Sequence, residues 1–465
     1  MWVKGFAVNS LNRLNSLSRS RKIIGGILVF LVFLYLLGSR IPSIGRKSAP
    51  VDETASLCID DNLRFLKSEV KKYDAFINHY PLKAGEKFYP AYVGNGKVSV
   101  SLDSEKGMYI RLNRALSLPV KYYPIVAAHL DDYSSKDATV LNIHHGIAEK
   151  IQCFEVDKGW RSNCLTVESL VYASRTRPSI LVQDIKIRNP SKNSVVVNLD
   201  QIGQTQLKDA KVSKASTTDA TGMSVEYTST QGVILIPDSK YKVHIAIATV
   251  KIGPSVAIKA GKSVRFHVVT AVNYTQAVKS LRHQNTYRGL LESVMKIDYA
   301  SLREEHIKVW RDIWKSGFGI SNSKAAGSLN GDKINTTIYY VLSNIQAPLH
   351  ELSTTVEEKS KIQKTLHYPD RCYGGHTLLF YSETLWSEIK DEEDIADVTS
   401  TWMITLEKKG CNIIVRAGAE GVLQAILLSL GGLRFDDNHL EMSMEPKDLH
   451  RDLLFHRLNY GNNTC

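Results

Sequence analysis

Apolar and polar residues alternate along the first half of the chain, from Phe88 to about Asn273. The alternating segments are rich in β-branched residues and are bounded by Gly, Pro, Asn, Asp or Ser, which is typical of strands between turns. These segments are KVSVSLD (97–103), SILVQDIKIRN (179–189), SVVVNLD (194–200), GVILIP (232–237), YKVHIAIATV (241–250) and SVRFHVVTAV (263–272). Because no helical segment separates these strands, the pattern predicts a large antiparallel β-sandwich.

Apolar residues at helical spacing lie on both sides of the strands. Before them, Leu66, Val70 and Tyr73 belong to a series that predicts a helix within residues 62–80. After them, the same spacing predicts helices within 301–318, 331–346, 371–386, 397–409 and 420–433. The chain beyond 433 returns to a strand–turn–strand pattern.

An uncharged apolar segment, IIGGILVFLVFLYLLGS (23–39), predicts a membrane anchor, since its length is about the minimum that crosses a bilayer as a helix. Five Lys or Arg residues and no acid precede it, which places the N-terminus in the cytosol and the rest of the chain in the secretory lumen or outside the cell. A cleaved signal peptide is the alternative. The long basic leader and the lack of a clear small-x-small site favour a retained signal-anchor.

The charge of the remaining chain excludes one class of function. The net charge is +12, of which the leader supplies five, and the rest is spread thinly. No dense Lys/Arg block with interleaved aromatic residues occurs, so we expect no nucleic-acid binding. The oligomeric state is left open by the sequence.

Sequons and cysteines agree with a secretory location. Asn273, Asn335 and Asn462 each begin an Asn-x-Thr sequon. Cys153 and Cys164 bracket a predicted hairpin, and a disulfide between them is expected in an oxidising compartment. The chain has no Cys-x-x-Cys pair, and we expect neither a cofactor nor a metal site.

Four stretches, in this order, resemble the maltose, kojibiose and trehalose phosphorylase family of glycoside hydrolases and phosphorylases. They are FYPAYVGNGKVSVSLD (88–103), EEHIKVWRDIW (304–314), YGGHTLLFYSETLW (373–386) and AEGVLQAILLSLGGLRFDDNHLEMSMEP (419–446). The resemblance implies a β super-sandwich, a helical linker, an (α/α)6 barrel and a small β-sheet domain. With its anchor, the chain also resembles an uncharacterised animal family of single-pass secretory-pathway membrane proteins, from which no activity carries over.

The chain departs from the phosphorylase pattern in its helical part. Only 36 residues separate Glu383 from Glu420, whereas six helix pairs need on the order of 200. The part that would hold the family's general acid is therefore missing. Phe380–Tyr381–Ser382 stand where the family has Trp-Asp, and Leu423 replaces a His, which argues against a phosphate site.

These observations predict a β super-sandwich, a reduced all-α region of truncated α/α-barrel type and a short β tail, behind an N-terminal transmembrane helix. The segments, in order, are a cytosolic basic leader (1–22), the transmembrane signal-anchor (23–39), a stem (40–60), the lumenal super-sandwich (61–290), a helical linker (291–325), the truncated helical domain (326–433) and the β tail (434–465).

Glycoside cleavage needs a carboxylic acid to protonate the leaving oxygen, together with a second carboxylate or phosphate. Glu383 is the best candidate, because a helix starting near Thr377 would put it on an apolar face, where desolvation raises the pKa of a carboxyl group. The alternative is that Glu383 only stabilises that helix. Glu420 is a second candidate acid, although a carboxylate at a helix start is favourable without any catalytic role.

Four further residues are candidate sugar contacts. His376 and Trp386 lie in the stretch that resembles the sugar-pocket segment of the phosphorylases. Trp310 and Trp314 share one face of a predicted helix and offer rings for stacking, although such a pair also suits a core.

The sequence thus predicts a degenerate glycoside-hydrolase-like protein of a secretory-pathway membrane (ER, Golgi or cell surface) that binds carbohydrate or a glycoprotein partner. One alternative is an active α-glycoside hydrolase that uses Glu383 as general acid. The other is a structural lumenal subunit of a membrane complex without a sugar site.

Overall fold

Two layers of antiparallel strands and a set of short helices make up the computed structural model of the chain. It describes residues 51–156, 164–279, 292, 294–366, 372–373, 378–436, 439–445, 450–460 and 463–464. Residues 52–465 belong to one compact unit.

The strands are β1 (Ala75–Tyr80), β2 (Tyr92–Gly94), β3 (Val98–Ser101), β4 (Met108–Leu112), β5 (Ala115–Val120), β6 (Tyr122–Tyr123), β7 (Ala127–His129), β8 (Ser135–Asn142), β9 (Ile147–Glu155), β10 (Cys164–Ala173), β11 (Ile180–Asn189), β12 (Val195–Asp200), β13 (Gly203–Gln204), β14 (Lys208–Thr218), β15 (Ser224–Leu235), β16 (Lys242–Val250), β17 (Ser255–Ile258), β18 (Lys262–Tyr274), β19 (Gly317–Ile320), β20 (Leu433–Asp436), β21 (His439–Met442), β22 (Leu453–His456), β23 (Asn459–Tyr460) and β24 (Asn463–Thr464).

The helices are α1 (Val51–Leu63), α2 (Lys67–Lys71), α3 (Tyr299–Ile313), α4 (Gly331–Ser343), α5 (Val356–Leu366), α6 (Glu392–Leu406) and α7 (Ala419–Gly431). Short 3-10 turns occupy Arg64–Leu66, Glu383–Trp386 and Ile414–Ala417, and a π-helical turn occupies Glu407–Cys411.

A nine-stranded sheet is the larger layer, with the strand order β1-β8-β9-β10-β11-β18-β16-β15-β14. The second layer contains the four-stranded sheet β2-β3-β4-β5 and the three-stranded sheet β17-β12-β7. Apolar residues from both layers meet in shared clusters; for example, Val100 and Ile110 pack with Leu181 and Ile247. The period-two pattern produces this contact because alternate side chains of a strand point to the same face. The predicted antiparallel β-sandwich is confirmed.

The opposite face of the nine-stranded sheet is covered by α1 and α3. Ile59 of α1 packs on Val140 and Ile151, and Leu302 of α3 packs in a cluster that includes Val269. Helix α1 begins at Val51, within the segment 40–60 that was predicted to be a stem. The helix is stable there because its apolar side chains pack on this face of the sheet.

The helix predicted within residues 62–80 is wrong in its second half. Residues 75–80 form strand β1, which pairs with β8 from Ala75↔Asn142 to Tyr80↔Asp137. The chain leaves the helical conformation at Tyr73, whose φ is 60°. The apolar spacing fitted a helix, but pairing at the sheet edge decides the structure.

The predicted membrane anchor, residues 23–39, lies outside the described residues and stays a prediction. Within the described part of the chain, no helix has both the length and the apolar character needed to span a membrane.

Helices α4, α6 and α7 share a core that also takes in Tyr92 of the sandwich. The C-terminal end of α4 meets the β2–β3 turn and β5. There Gly96 N donates to Ser343 O at 2.9 Å, and Leu116 N donates to Asn344 Oδ1 at 2.8 Å. Gly96 has a φ of +81°, and a Cβ atom on it would lie 2.2 Å from Gln346 N. A glycine is therefore required at this approach.

The helix predicted within 371–386 is not formed by its described residues. Only the 3-10 turn Glu383–Trp386 is present, and Ser382 before it is extended, with ψ 103°. Leu379 and Trp386 are nevertheless buried. The Trp386 indole N–H donates to Leu379 O at 3.1 Å, and this bond fixes the two residues against each other in the absence of a helix. In the β tail, β22 pairs with β19 and β20 pairs with β21.

The predicted Cys153–Cys164 disulfide is wrong. Cys153 is bonded to Cys58 of α1, and Cys164 is a buried free thiol. Cys153 is opposite Thr166 in the β9–β10 pair, so Cys164 is two positions out of register, while α1 lies over the sheet. A second disulfide joins Cys372 to Cys411.

Candidate functional site

The face of α3 that carries His306, Trp310 and Trp314 packs against the turn between β8 and β9 of the same chain. Trp314 Nε1 donates to Ile143 O at 2.8 Å, and His306 Nε2 donates to Gly146 O at 3.0 Å. Trp310 has no exposed surface and packs directly against Gly146. Burial lowers the pKa of His306 to about 3, so its ring is neutral at pH 7. Trp310 and Trp314 thus pack in the core, which was the alternative to sugar stacking in the sequence analysis. Their rings contact other residues of the chain.

Glu420 is in the first turn of α7, where the helix dipole favours a carboxylate. Its Oε1 lies 2.5 Å from His350 Nε2, and only 15% of the side chain is exposed. It does not line the cavity that contains Glu383. The structure therefore does not bring the two candidate acids together in one cavity.

Glu383 lies on the wall of an open cavity of about 650 Å³. Its side chain is exposed, and it does not sit on an apolar helix face. The expectation of a desolvated acid is wrong because the segment forms a single 3-10 turn with Leu385 and Trp386 inside and Glu383 outside. Among the described residues that line the cavity, Glu383 is the only carboxylate.

Aromatic side chains form part of the same wall. Trp386 is held rigidly, since its ring packs on Trp402 with centroids 5.2 Å apart. Phe380 makes an edge contact with Phe318 at 6.3 Å. Tyr381 is 59% exposed and thus presents a ring to the cavity mouth. His376, the remaining candidate, lies outside the described residues.

Cationic side chains line the same cavity as Glu383. Lys87 is paired with Asp332 at 2.6 Å. The Arg451 guanidinium donates to Leu329 O at 2.6 Å. The ammonium group of Lys333, in the first turn of α4, makes no hydrogen bond or ion pair with any described residue, so it is available to a ligand.

A second cavity, of about 740 Å³, lies inside the sandwich and was not predicted. We call it the sandwich cavity. Its polar wall is formed by Tyr80, Asp103, Asp137, Thr139, Lys150 and Gln152. The signal in the sequence was a row of polar residues two apart on β8 (Asp137, Thr139) and on β9 (Lys150, Gln152), which breaks the apolar inner face.

Asp103, on the wall of the sandwich cavity, is a largely buried acid. Its carboxylate accepts hydrogen bonds from the Tyr80 hydroxyl, from Ala91 N and from Thr139 Oγ1, the last at 3.2 Å. Burial outweighs these bonds and raises the pKa of Asp103 to about 6.

Two predicted glycosylation sites are within the described chain. Asn273, on β18, accepts a hydrogen bond from Lys97 Nζ at 3.3 Å and is half-buried. Asn335 is half-buried on α4, and Asn462 lies outside the described residues. Their modification stays a prediction.

The described part of the chain forms a two-layer β-sandwich with attached helices, and it contains cavities large enough for a small ligand. The chain belongs to the DUF2152 family, described as "Uncharacterized conserved protein", whose family model matches residues 8–465. It is 27% identical over 449 residues to the "Uncharacterized protein KIAA2013 homolog" of Xenopus tropicalis, covering 94% of this chain and 72% of that protein. The Xenopus laevis homolog is 26% identical over 448 residues, with 94% and 73% coverage. The predicted similarity to an uncharacterised animal family is confirmed. The membrane and secretory character of that family stays a prediction for this chain.

Among solved structures, the chain is distantly similar to a "Putative kojibiose phosphorylase from human microbiome", with a TM-score of 0.41 and 9% identity. The similarity covers 60% of this chain and 42% of that one, so the chain spans less than half of the phosphorylase. A similarity at this TM-score carries no argument about the site.

Proposed function

We propose that this protein binds carbohydrate, free or on a glycoprotein partner, and that the cavity beside Glu383 is its sugar site. The observation that carries the proposal is the pairing of an exposed carboxylate, Glu383, with an exposed aromatic ring, Tyr381, on one cavity wall. Ligand cavities of several hundred Å³ typically combine aromatic walls with a few polar groups that fix orientation.

The two side chains have complementary tasks. The Tyr381 ring, set edge-on to Phe380 with centroids 5.0 Å apart, offers a flat apolar face to the C–H face of a sugar. The Glu383 carboxylate accepts hydrogen bonds from sugar hydroxyls, and charged acceptors make the stronger bonds. Lys333 supplies donors to the ring oxygen or to other hydroxyls.

The same wall argues against hydrolysis. A general acid that works near neutral pH is usually a desolvated carboxyl group, whereas Glu383 is exposed to solvent. Hydrolysis also requires a second carboxylate about 5–9.5 Å away. None lines this cavity among the described residues.

The membrane and lumenal placement is part of the proposal. Two disulfides, Cys58–Cys153 and Cys372–Cys411, support an oxidising compartment, because cytosolic proteins rarely keep such bonds. The segment 23–39 is proposed as the anchor in a membrane of the secretory pathway.

The sugar site is tested by measuring the affinity of the purified full-length chain for a glycan panel and for α-linked disaccharides. We expect Tyr381→Ala and Glu383→Gln each to weaken binding about tenfold, the loss of one good polar or stacking contact. Glu388→Gln is the matched control, since Glu388 is an exposed glutamate five positions further on that does not line the cavity.

Two results would overturn the proposal. Failure of every glycan to bind would favour a structural subunit of a membrane complex. Turnover of an α-linked disaccharide that Glu383→Gln abolishes would instead establish a hydrolase.

Topology is tested separately by endoglycosidase treatment of the chain made in secretory cells. We expect a mobility shift that Asn273→Gln and Asn335→Gln together reduce. A chain with both positions bare would contradict the lumenal placement.

A further inference from the structure

The sandwich cavity has one apolar wall and one polar wall. Second-layer residues, among them Val100 and Ile125, form the apolar side together with Val167 and Ile185 of the nine-stranded sheet. The 101–107 connection between β3 and β4 borders the cavity, and the exposed Ile202 lies at its rim. A ligand that fills such a space needs an apolar body as well as a polar group.

The polar wall is built by strand register. Asp137 of β8 is opposite Tyr80 on β1 and opposite Gln152 on β9. Thr139 is opposite Lys150 in the same pair of strands. Because residues two apart share a face, these five side chains project from one side of the sheet into the cavity.

One acceptor atom of this wall has no partner. Asp137 Oδ2 accepts from Lys150 Nζ at 3.1 Å and from Gln152 Nε2 at 3.2 Å. Asp137 Oδ1 is buried and makes no hydrogen bond. A buried acceptor left unpaired costs free energy, so the Asp137 carboxylate has the capacity to accept a further donor.

The charges that line the cavity are unequal. Asp103, Glu105 and Asp137 contribute three carboxyl groups, whereas Lys150 is the one cation among the lining residues. Lys106, next in the chain to Glu105, is paired outward with Asp391 at 2.9 Å and does not line the cavity. A net negative cavity favours a cation over its neutral or anionic counterpart.

We propose that the sandwich cavity is a second binding site, independent of the sugar site, and that it takes an organic cation: a protonated amine on an apolar body. The ammonium group donates to the Asp137 carboxylate, in a cavity that Glu105 and Asp103 also line. The apolar body lies against Val100, Ile125 and Ile185. The Tyr123 ring, also on the wall, adds an aromatic face toward which a cation is attracted.

Three probes of matched size test the choice of charge: phenethylamine, 2-phenylethanol and 3-phenylpropanoate. Their affinities for the full-length chain are measured by titration calorimetry at pH 7.5. We expect phenethylamine to bind at least tenfold more tightly than either of the other two. Equal affinity of the three probes, or no binding of any of them, would overturn the proposal.

Two sets of variants locate the bound amine. Asp137→Asn should weaken phenethylamine binding about tenfold, whereas Asp238→Asn should leave it unchanged. Asp238 is an exposed turn residue with a φ of 53°, a conformation that Asn adopts as readily as Asp, and it does not line the sandwich cavity.

The second set of variants replaces Ile202, which is 59% exposed at the rim, so we expect these replacements to leave folding intact. Ile202→Lys should weaken amine binding and Ile202→Asp should strengthen it, each by a fewfold factor that shrinks in high salt. Identical affinities for the two charge variants would contradict binding at this cavity.

Discussion

The guanidinium carbon of Arg175 lies 4.2 Å from the ring centroid of Trp310, and this stacked pair joins the sandwich to the helices. Arg175 follows β10 and donates to Ile345 O at 2.6 Å and to Leu342 O at 2.7 Å. These carbonyl groups belong to the C-terminal end of α4, where the helix dipole favours a cation. Burial lowers the pKa of Arg175 to about 10, which leaves the side chain charged at neutral pH.

Replacing Arg175 should therefore destabilise the whole fold. Arg175→Met keeps most of the volume but removes the Arg175 donor to Ile345 O, and leaves Leu342 O with backbone donors such as Ile345 N at 3.1 Å. Because a buried cation–carbonyl contact is lost, we expect a decrease of about 3 kcal/mol in the free energy of unfolding. Urea denaturation followed by tryptophan fluorescence measures it. Arg188→Met, at an exposed position on β11, is the control and should stay within about 0.5 kcal/mol of wild type. Equal effects of the two variants would refute this role of Arg175.

Gly146 should not tolerate a side chain. A Cβ atom there would lie 1.8 Å from Trp310 Nε1, so Gly146→Ala should cost about 4 kcal/mol or more. Gly203→Ala is the matched control, since Gly203 has a nearly identical φ of +67° but nothing within 4 Å of its Cβ position. That variant should lose only about 1 kcal/mol, the cost of the left-handed conformation alone. Thermal unfolding of the two proteins separates the clash from the backbone strain.

Peptide mapping without reduction should recover Cys58 linked to Cys153 and Cys372 linked to Cys411. Cys164 should remain unalkylated by iodoacetamide in the folded chain, because burial raises the pKa of its thiol to about 11. Cys58→Ser should then cost about 2–5 kcal/mol, while Cys164→Ala should leave both linkages intact. A peptide that joins Cys153 to Cys164 would be the contrary result.

The free energy of unfolding should depend on pH through the titration of the Asp103 carboxyl group. Its pKa is raised from 3.8 to about 6 in the folded state, so the folded protein binds the proton more tightly, and stability falls as the pH rises from about 4 to about 6. Asp103→Asn lacks this loss. Between pH 4.5 and pH 7.5 the variant should gain about 2 kcal/mol on wild type. The lowered pKa of His306 gives an opposite slope, but both proteins share it and it cancels in the difference. Parallel stability curves would show that Asp103 is not perturbed.

The sandwich was predictable because its signal is local. Alternation over β11, β16 and β18 was enough to predict the strands, and apolar residues at helical spacing were enough to predict α4 and α7. The misses at residues 75–80 and at Cys153 have another origin. Each depends on a partner distant in the chain, β8 in one case and Cys58 in the other, and no local spacing encodes such a choice.

The site was predicted less well than the fold. Glu383 was predicted as a candidate acid, and its role stays a prediction. Its environment was not predicted, because one 3-10 turn exposes a side chain that a full helix would have buried. The polar row on β8 and β9 was visible in the sequence. Its meaning depended on which face the second layer covers, and that follows only from the packing of the two layers.

The contacts at the C-terminal end of α4 also bear on how this protein can be cut. The Arg175 guanidinium and Gly96 N of the sandwich use carbonyl groups that α4 and the residues just after it supply. A protease or a splicing event that removed α4 would deprive the Arg175 guanidinium and Gly96 N of acceptors. The sandwich and the helices therefore depend on each other for folding. We expect no stably folded fragment that contains only one of the two.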